Sequence, residues 1–343
     1  MLKKPIHLAF GDKVATVSLS WGGAGDRDVL YRYHVGKERL EKQFGLQVVE
    51  MPHTLSGSSY LYAHPEKRAE DLMQAFGDPT IKAIFTCIGG NESIRLLPYI
   101  DFSLIASNPK IVLGYSDSTI AHLFCLKAGI SSFYGPSILA EFAENVEIFP
   151  YTASYVKQVL FTPSPIGLIT PPIQWTSEYL AWNEENQNRA KTMQDHEGYI
   201  FLQGEGVVQG RLIGGCMEVL EMAKGTTLWP DESLFSGSIL FFETSEEVPS
   251  PASFTSYLRS YGTLQILQKV SALIFGKPYQ GRYYDEYVRA IRQVLAELDL
   301  SNLVVVTNMA FGHNEPMCIL PYGAMAELDC TKKTFTLLES GVV

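Results

Sequence analysis

Over the first 130 residues, short apolar runs alternate with segments of helical spacing, and few architectures accommodate that pattern. Val14 to Leu19 reads as a strand, and the helical spacing from Val29 to Phe44 ends at Gly45. Leu46 to Val49 is a second strand, Pro65 to Phe76 a helix, and Ile81 to Cys87 a third strand. Gly89 and Gly90 follow, then a short helix through Leu97. Ile111 to Gly114 is a fourth strand, leading into Ser116-Asp117-Ser118 and a helix from Thr119 to Ala128. Strands alternating with helices imply an α/β fold with a parallel sheet covered on both faces.

The pattern breaks at Thr162 to Pro172, rich in proline and hydroxyl residues, and at the polar stretch Glu178 to Glu197, which embeds Trp182. A boundary near residue 165 therefore divides the 343 residues into two domains, 1–165 and 166–343, each of ordinary size. The polar stretch, within a segment near 175–200, reads as a long loop or a broken helix, and loops of such length are usually either functional or disordered. Strands then resume at Gly206 to Gly215, Ser238 to Phe242, Val270 to Phe275 and Leu303 to Val306. Helical spacing lies between them at Met217 to Ala223, Phe254 to Gln268 and Asp285 to Leu298.

A formal net charge of -10, with no run of lysine and arginine, argues against a nucleic-acid partner and for a small-molecule one. The five cysteines are scattered and form no metal-ligand spacing, so reduced thiols in a cytoplasmic protein are expected and a metal is not. No stretch reaches about 18 apolar residues, the length needed to span a membrane. His7 and Gly11-Asp12-Lys13 interrupt any apolar core of a leader at the N-terminus.

In an open parallel sheet, ligands bind beyond the carboxyl ends of the strands. Three polar residues follow buried runs there: Ser116 after IVLGY, Glu243 after SILFF, and His313 after LVVVTNMAFG. They make up the inventory of a nucleophile, an orienting acid and a general base. Their order, Ser-Glu-His, also occurs in α/β-hydrolases, but Gly114-Tyr-Ser-Asp-Ser118 lacks the second glycine of that elbow. Plainer readings stand beside each residue. Ser116, Asp117 or Ser118 could cap the next helix. Glu246 and Glu247 compete with Glu243 as the acid, and His122 and His196 compete with His313 as the base. Gly90 suits close backbone approach to a substrate, or simply a tight turn.

A different class competes as well. Gly23-Ala-Gly25-Asp-Arg-Asp28 after the first strand, with Glu50 ending the second, is similar to a dinucleotide fingerprint. Asp28 stands where the third glycine belongs, and an acid there would repel a pyrophosphate.

The strings CIGGNESIRLLPYID, LGYSDST, GRLIGGC, SILFFE and MAFGHNEPM, in that order, resemble the LD-carboxypeptidase family of serine peptidases over roughly residues 12 to 330. The resemblance implies an N-terminal parallel-sheet α/β domain with the serine, a smaller β/α C-terminal domain with the glutamate and histidine, and an active site between them. It implies Ser116 as nucleophile, His313 as base, Glu243 as the residue orienting it, and the N–H groups of Gly90 and Asp117 as oxyanion donors. It also implies a homodimer and no cofactor. Ile88-Gly-Gly-Asn-Glu-Ser93 departs from the Arg-Gly-Gly-Tyr-Gly type string of murein-recycling members and looks more like the microcin-immunity branch. There, Trp182 would stack on a nucleotide base; an ordinary packing role is the alternative. Two substrate classes follow, an aminoacyl-nucleotide analogue or a murein tetrapeptide, and a non-catalytic nucleotide-binding protein is the alternative of another class.

Overall fold

The computed structural model describes all 343 residues. Its first sheet is built from β1 (Lys13–Val17), β2 (Gln47–Glu50), β3 (Ile81–Thr86), β4 (Ile111–Gly114) and β5 (Phe133–Tyr134). These run parallel in the order β2-β1-β3-β4-β5. The crossovers carry α1 (Leu30–Phe44), α2 (Ser58–Ala63), α3 (Pro65–Gly77), α4 (Phe102–Ser107) and α5 (Thr119–Lys127). Local chemistry sets the helix limits. α1 ends because Gly45 takes φ 67° and returns its N–H to Leu40 O. α3 opens on Pro65, whose missing N–H costs nothing in the first turn.

After α6 (Pro150–Leu160) come β6 (Gly167–Leu168) and a two-strand ribbon, β7 (Gln174–Trp175) with β8 (Gln194–Asp195). The second sheet then builds from β9 (Ile200–Gln203), β10 (Val207–Cys216), β11 (Ile239–Glu243), β12 (Ala272–Gly276) and β13 (Val304–Met309). Among them lie α7 (Met217–Ala223), α8 (Glu232–Phe235), α9 (Pro251–Thr263) and α10 (Tyr284–Glu297). β14 (Leu320–Pro321), β15 (Met325–Asp329) and β16 (Thr334–Leu337) finish the chain. The order is β6-β16-β15-β10-β11-β12-β13-β9, eight strands against the six of the first sheet, whose sixth strand is β14. Only β10 to β13 run parallel to one another.

The chain does not stay on its own side of residue 165. β14 returns to pair antiparallel with β5, Leu320 opposite Tyr134, and covers what would be an open edge of the first sheet. The core is shared too. Met217 and Leu220 of α7 pack in the same apolar cluster as Ile120 and Phe124 of α5, and Tyr134 meets Phe241 with ring centroids 5.5 Å apart. Cys216 N–H donates to Thr119 Oγ1 at 3.1 Å. An apolar, hydrogen-bonded seam of this kind holds the halves in one relative position.

Several segments differ from the sequence reading, three of them substantial. α6 was not expected, although Thr152, Tyr155, Val156 and Val159 fall on one helical face. β15 and β16 were missed, although Ala326 and Leu328, then Phe335 and Leu337, alternate inward. The helix expected through Gln268 stops at Thr263, because Gln265 turns left-handed at φ 58° and ends the ladder.

Candidate active site

β4 delivers the serine. Tyr115 stays extended, Ser116 swings to φ 60°, and Ser118 N–H closes the turn on Tyr115 O at 3.1 Å. A non-glycine residue in this region costs of order 1–3 kcal/mol, a cost met where surrounding structure over-determines it. Here Ser116 N–H donates to Tyr134 Oη at 3.0 Å. The sharp strand-to-helix turn therefore forms without the second glycine of an α/β-hydrolase elbow. None of the three residues caps α5. Ser118 Oγ donates to Thr86 Oγ1 at 3.0 Å, and the Asp117 carboxylate accepts the N–H groups of Glu92 and Ser93 at 2.8 Å each. The Ser116 hydroxyl faces His313 instead.

Glu243 is the last residue of β11, and His313 follows β13 by four residues. His313 Nε2 lies 3.0 Å from Ser116 Oγ, and its Nδ1 lies 2.6 Å from Glu243 Oε2. Glu243 is 2% exposed, so its attraction for the imidazole is little screened by water. Its other oxygen accepts the Tyr134 hydroxyl. Tyr134 thus ties the Ser116 backbone to the Glu243 carboxylate, a link with no signal in the sequence beyond a buried phenol that needs a partner. Glu246, not Glu247, also reaches the ring: its Oε2 is 3.0 Å from His313 Nε2, the same nitrogen that faces Ser116.

These contacts set the protonation of His313. Burial opposes charging the imidazole, but Glu243 first and Glu246 next outweigh it and hold the pKa well above the ordinary histidine value. Its hydrogen bond to His313 pulls the Glu246 carboxyl down to about 2. The neutral base is available only above the raised pKa, so kcat/KM should climb with pH through a limb above the usual histidine range. Glu246→Gln removes one of the two carboxylates and should move that limb to lower pH. A limb that stays in place would show that Glu246 does not face the ring in solution.

The rival histidines are occupied elsewhere. His122 is fully buried, spans Ser132 Oγ and Gly114 O at 2.9 Å each, and is pushed by burial down to about 4. His196 Nδ1 accepts the Gly198 N–H at 2.9 Å, and burial lowers it also to about 4. The glycine-rich turn after β1 packs against protein: a Cβ on Gly25 would stand 2.3 Å from Leu55 O, and Asp26 Oδ1 accepts the Ser58 N–H. Helix α1 begins only at Leu30, so no helix start faces a phosphate at that turn.

Gly90 takes φ 143°, and a Cβ there would sit 2.4 Å from Ser20 Oγ. Its neighbour matters as much. A Cβ on Gly89 would fall 2.9 Å from Ser116 Oγ and 3.3 Å from Asp117 N, so only glycine leaves room beside the serine. Gly89, Gly90, Ser116 and His313 line one cavity of about 670 Å³. Trp182 lines the same cavity with Trp21, their centroids 6.3 Å apart. The polar segment carrying Trp182 is a loop with one short turn at Glu184–Asn186. It is pinned by Lys191, buried between Glu144 (2.6 Å) and Glu315. Trp182 itself is half-buried, with the Arg32 guanidinium 4.6 Å from its centroid. No group of three or more His, Cys, Asp or Glu side chains is arranged to hold a metal ion. No helix is long and apolar enough to cross a membrane.

Known proteins share this architecture. Residues 14–135 match the LD-carboxypeptidase N-terminal domain and residues 209–328 the LD-carboxypeptidase C-terminal domain. The microcin C7 self-immunity protein MccF of Escherichia coli is 30% identical over 97% of this chain and 94% of its own length. The structure of an MccF-like protein from Streptococcus pneumoniae in complex with AMP superposes with a TM-score of 0.88 at 33% identity, covering 96% of this chain and 99% of that one. MccF in complex with aspartyl sulfamoyl adenosine superposes with a TM-score of 0.86 at 28% identity, covering 99% and 100%. Both family domains are matched in order and nearly the whole chain aligns with a relative, so the protein belongs to the LD-carboxypeptidase family and is a serine-type carboxypeptidase, a hydrolase.

Proposed function

We propose that the protein hydrolyses the amide-type bond joining an amino acid to a nucleotide analogue, with Ser116, His313 and Glu243 as its catalytic residues. The observation that carries this reading is the single cavity in which a strained serine, 3.0 Å from a buried imidazole, shares its walls with two indoles. His313 Nε2 takes the Ser116 proton as Oγ attacks the aminoacyl carbonyl, and Glu243 holds the imidazolium that forms. The N–H groups of Gly90 and Asp117 face the developing oxyanion. The nitrogen of the nucleotide side leaves with the proton from His313. Water, deprotonated by the same ring, then releases the amino acid from Ser116. Residues 1–165 bring the nucleophile and 166–343 bring the acid and base, so the reaction sits at the seam. A protein that only bound nucleotides would gain nothing from an imidazole set against a serine. The family resemblance also implies a homodimer and the scattered cysteines a cytoplasmic protein, and neither feature enters the chemistry.

The test is a side-by-side assay on an aminoacyl sulfamoyl adenosine and on murein tetrapeptide, with products read by mass spectrometry. Trp182 sharpens it. Stacking of an aromatic side chain on a base is worth about 1–3 kcal/mol. Trp182→Ala should therefore raise KM for the nucleotide substrate roughly tenfold, at 1.4 kcal/mol per decade. The melting temperature should fall by only about 2–4 °C, since the ring is half-buried at the edge of the core, beside Trp21 and the Arg32 guanidinium. An unchanged KM, with good turnover of murein tetrapeptide, would assign the enzyme to the L,D-peptide substrate instead.

A further inference from the structure

The cavity is acidic in an uneven way. Glu141, Glu178, Glu246 and Glu315 line it, against Lys191 as the one lysine or arginine. Three of these carboxylates already have donors from the protein. Glu141 accepts the Ser137 N–H at 2.8 Å, Glu178 accepts the Thr192 N–H and pairs with Arg189, and Glu315 pairs with Lys191. Lys191 is in turn spent between Glu144 and Glu315. Glu246 differs: its side chain is 62% exposed, and its partner is His313 Nε2. That partnership conflicts with catalysis. A ring nitrogen donating to Glu246 carries a proton and has no lone pair for the Ser116 hydroxyl. A neutral ring would turn that lone pair toward the carboxylate. Turnover therefore calls for a different cation beside Glu246.

The substrate's own geometry supplies one. A carbonyl carbon poised for attack stands about 3–3.5 Å from the nucleophile. The α-nitrogen of the same amino acid is about 2.5 Å from that carbon by ordinary bond lengths and angles. It thus falls within about 6 Å of Ser116 Oγ. Glu246 Oε2 and Ser116 Oγ are each 3.0 Å from one nitrogen of His313, so they too are at most about 6 Å apart. We propose that Glu246 is a specificity residue that binds the free α-ammonium of the scissile amino acid and, in doing so, leaves His313 Nε2 to Ser116. The inference rests on the aminoacyl-nucleotide reading above. In a tetrapeptide cut at its last bond, the corresponding α-nitrogen is an amide and carries no charge.

The experiment compares an aminoacyl sulfamoyl adenosine having a free α-amine with its N-acetylated form. The wild-type protein should favour the free amine at least tenfold in kcat/KM, and Glu246→Gln should bring that ratio close to one, mainly through KM. Release of His313 Nε2 from Glu246 accompanies only the free amine and adds to the kcat/KM ratio, so binding without turnover isolates the ammonium contact itself. Binding to Ser116→Ala, measured by calorimetry, should show the same preference, and Ser116→Ala combined with Glu246→Gln should lose it. Equal loss on both substrates, or a preference that survives Glu246→Gln, would overturn the assignment of Glu246 while leaving the hydrolase reading intact. Wild-type turnover of neither compound, with cleavage of murein tetrapeptide, would overturn both.

Discussion

Ser116→Ala should lower kcat on the true substrate by about ten-thousand-fold or more, with binding and melting temperature little changed. Removing the nucleophile of a serine hydrolase leaves only what the oxyanion donors and substrate binding can contribute. The fold should tolerate the change, because the groups that shape the turn are backbone ones. Ser116 N–H still finds Tyr134, Ser118 N–H still finds Tyr115 O, and alanine replaces a side chain whose hydrogen-bond partner is His313. Circular dichroism and calorimetric binding on the variant separate loss of chemistry from loss of fold. Retention of more than about a hundredth of the activity would mean that another group attacks the carbonyl.

Glu243→Gln is expected to cost of the order of a thousand- to ten-thousand-fold in kcat, by analogy with the loss of the orienting carboxylate in other triads. The amide is nearly the same size, but it is neutral and cannot stabilise the imidazolium formed when His313 takes the serine proton. Two contacts make this site less forgiving than a simple triad. Glu243 Oε2 receives His313 Nδ1 at 2.6 Å, and Oε1 receives the Tyr134 hydroxyl. A glutamine must offer its NH₂ to one of these donors, so one buried donor loses its acceptor. Glu246→Gln, by contrast, should leave kcat at high pH within about tenfold of the wild type, and Glu247→Gln should change little. Similar losses in all three variants would show that Glu243 is not the acid that orients the base.

Local patterning carried a large share of the molecule. Four strands of the first sheet, the helices after them and the parallel core of the second sheet were legible because most of the strands are continuous apolar runs buried on both faces and the helices bury one face with a period of 3.6. Ser116, Glu243 and His313 were legible for a related reason: each is a polar residue just where a buried strand ends. Where reading failed, the determinant was non-local or too short to leave a period. The two-residue strand β14 has no pattern of its own and exists because the edge of β5 needs a partner. Tyr134 looked like any core aromatic, and its hydroxyl acquires meaning only once Glu243 and the Ser116 N–H arrive from distant parts of the chain.

By itself, then, the sequence determined the α/β class, the strand-end position of each reactive residue and the family, because periodicity and short motifs are local properties of a chain. The tertiary structure alone decided which acid meets which nitrogen of the imidazole and which histidine lies against Ser116. It also decided that a string without the second elbow glycine still makes a strained turn at φ 60°. The contacts of His313 join residues 70 positions away at Glu243 and 197 away at Ser116 within 3.0 Å, and separations of that length leave no mark on local sequence.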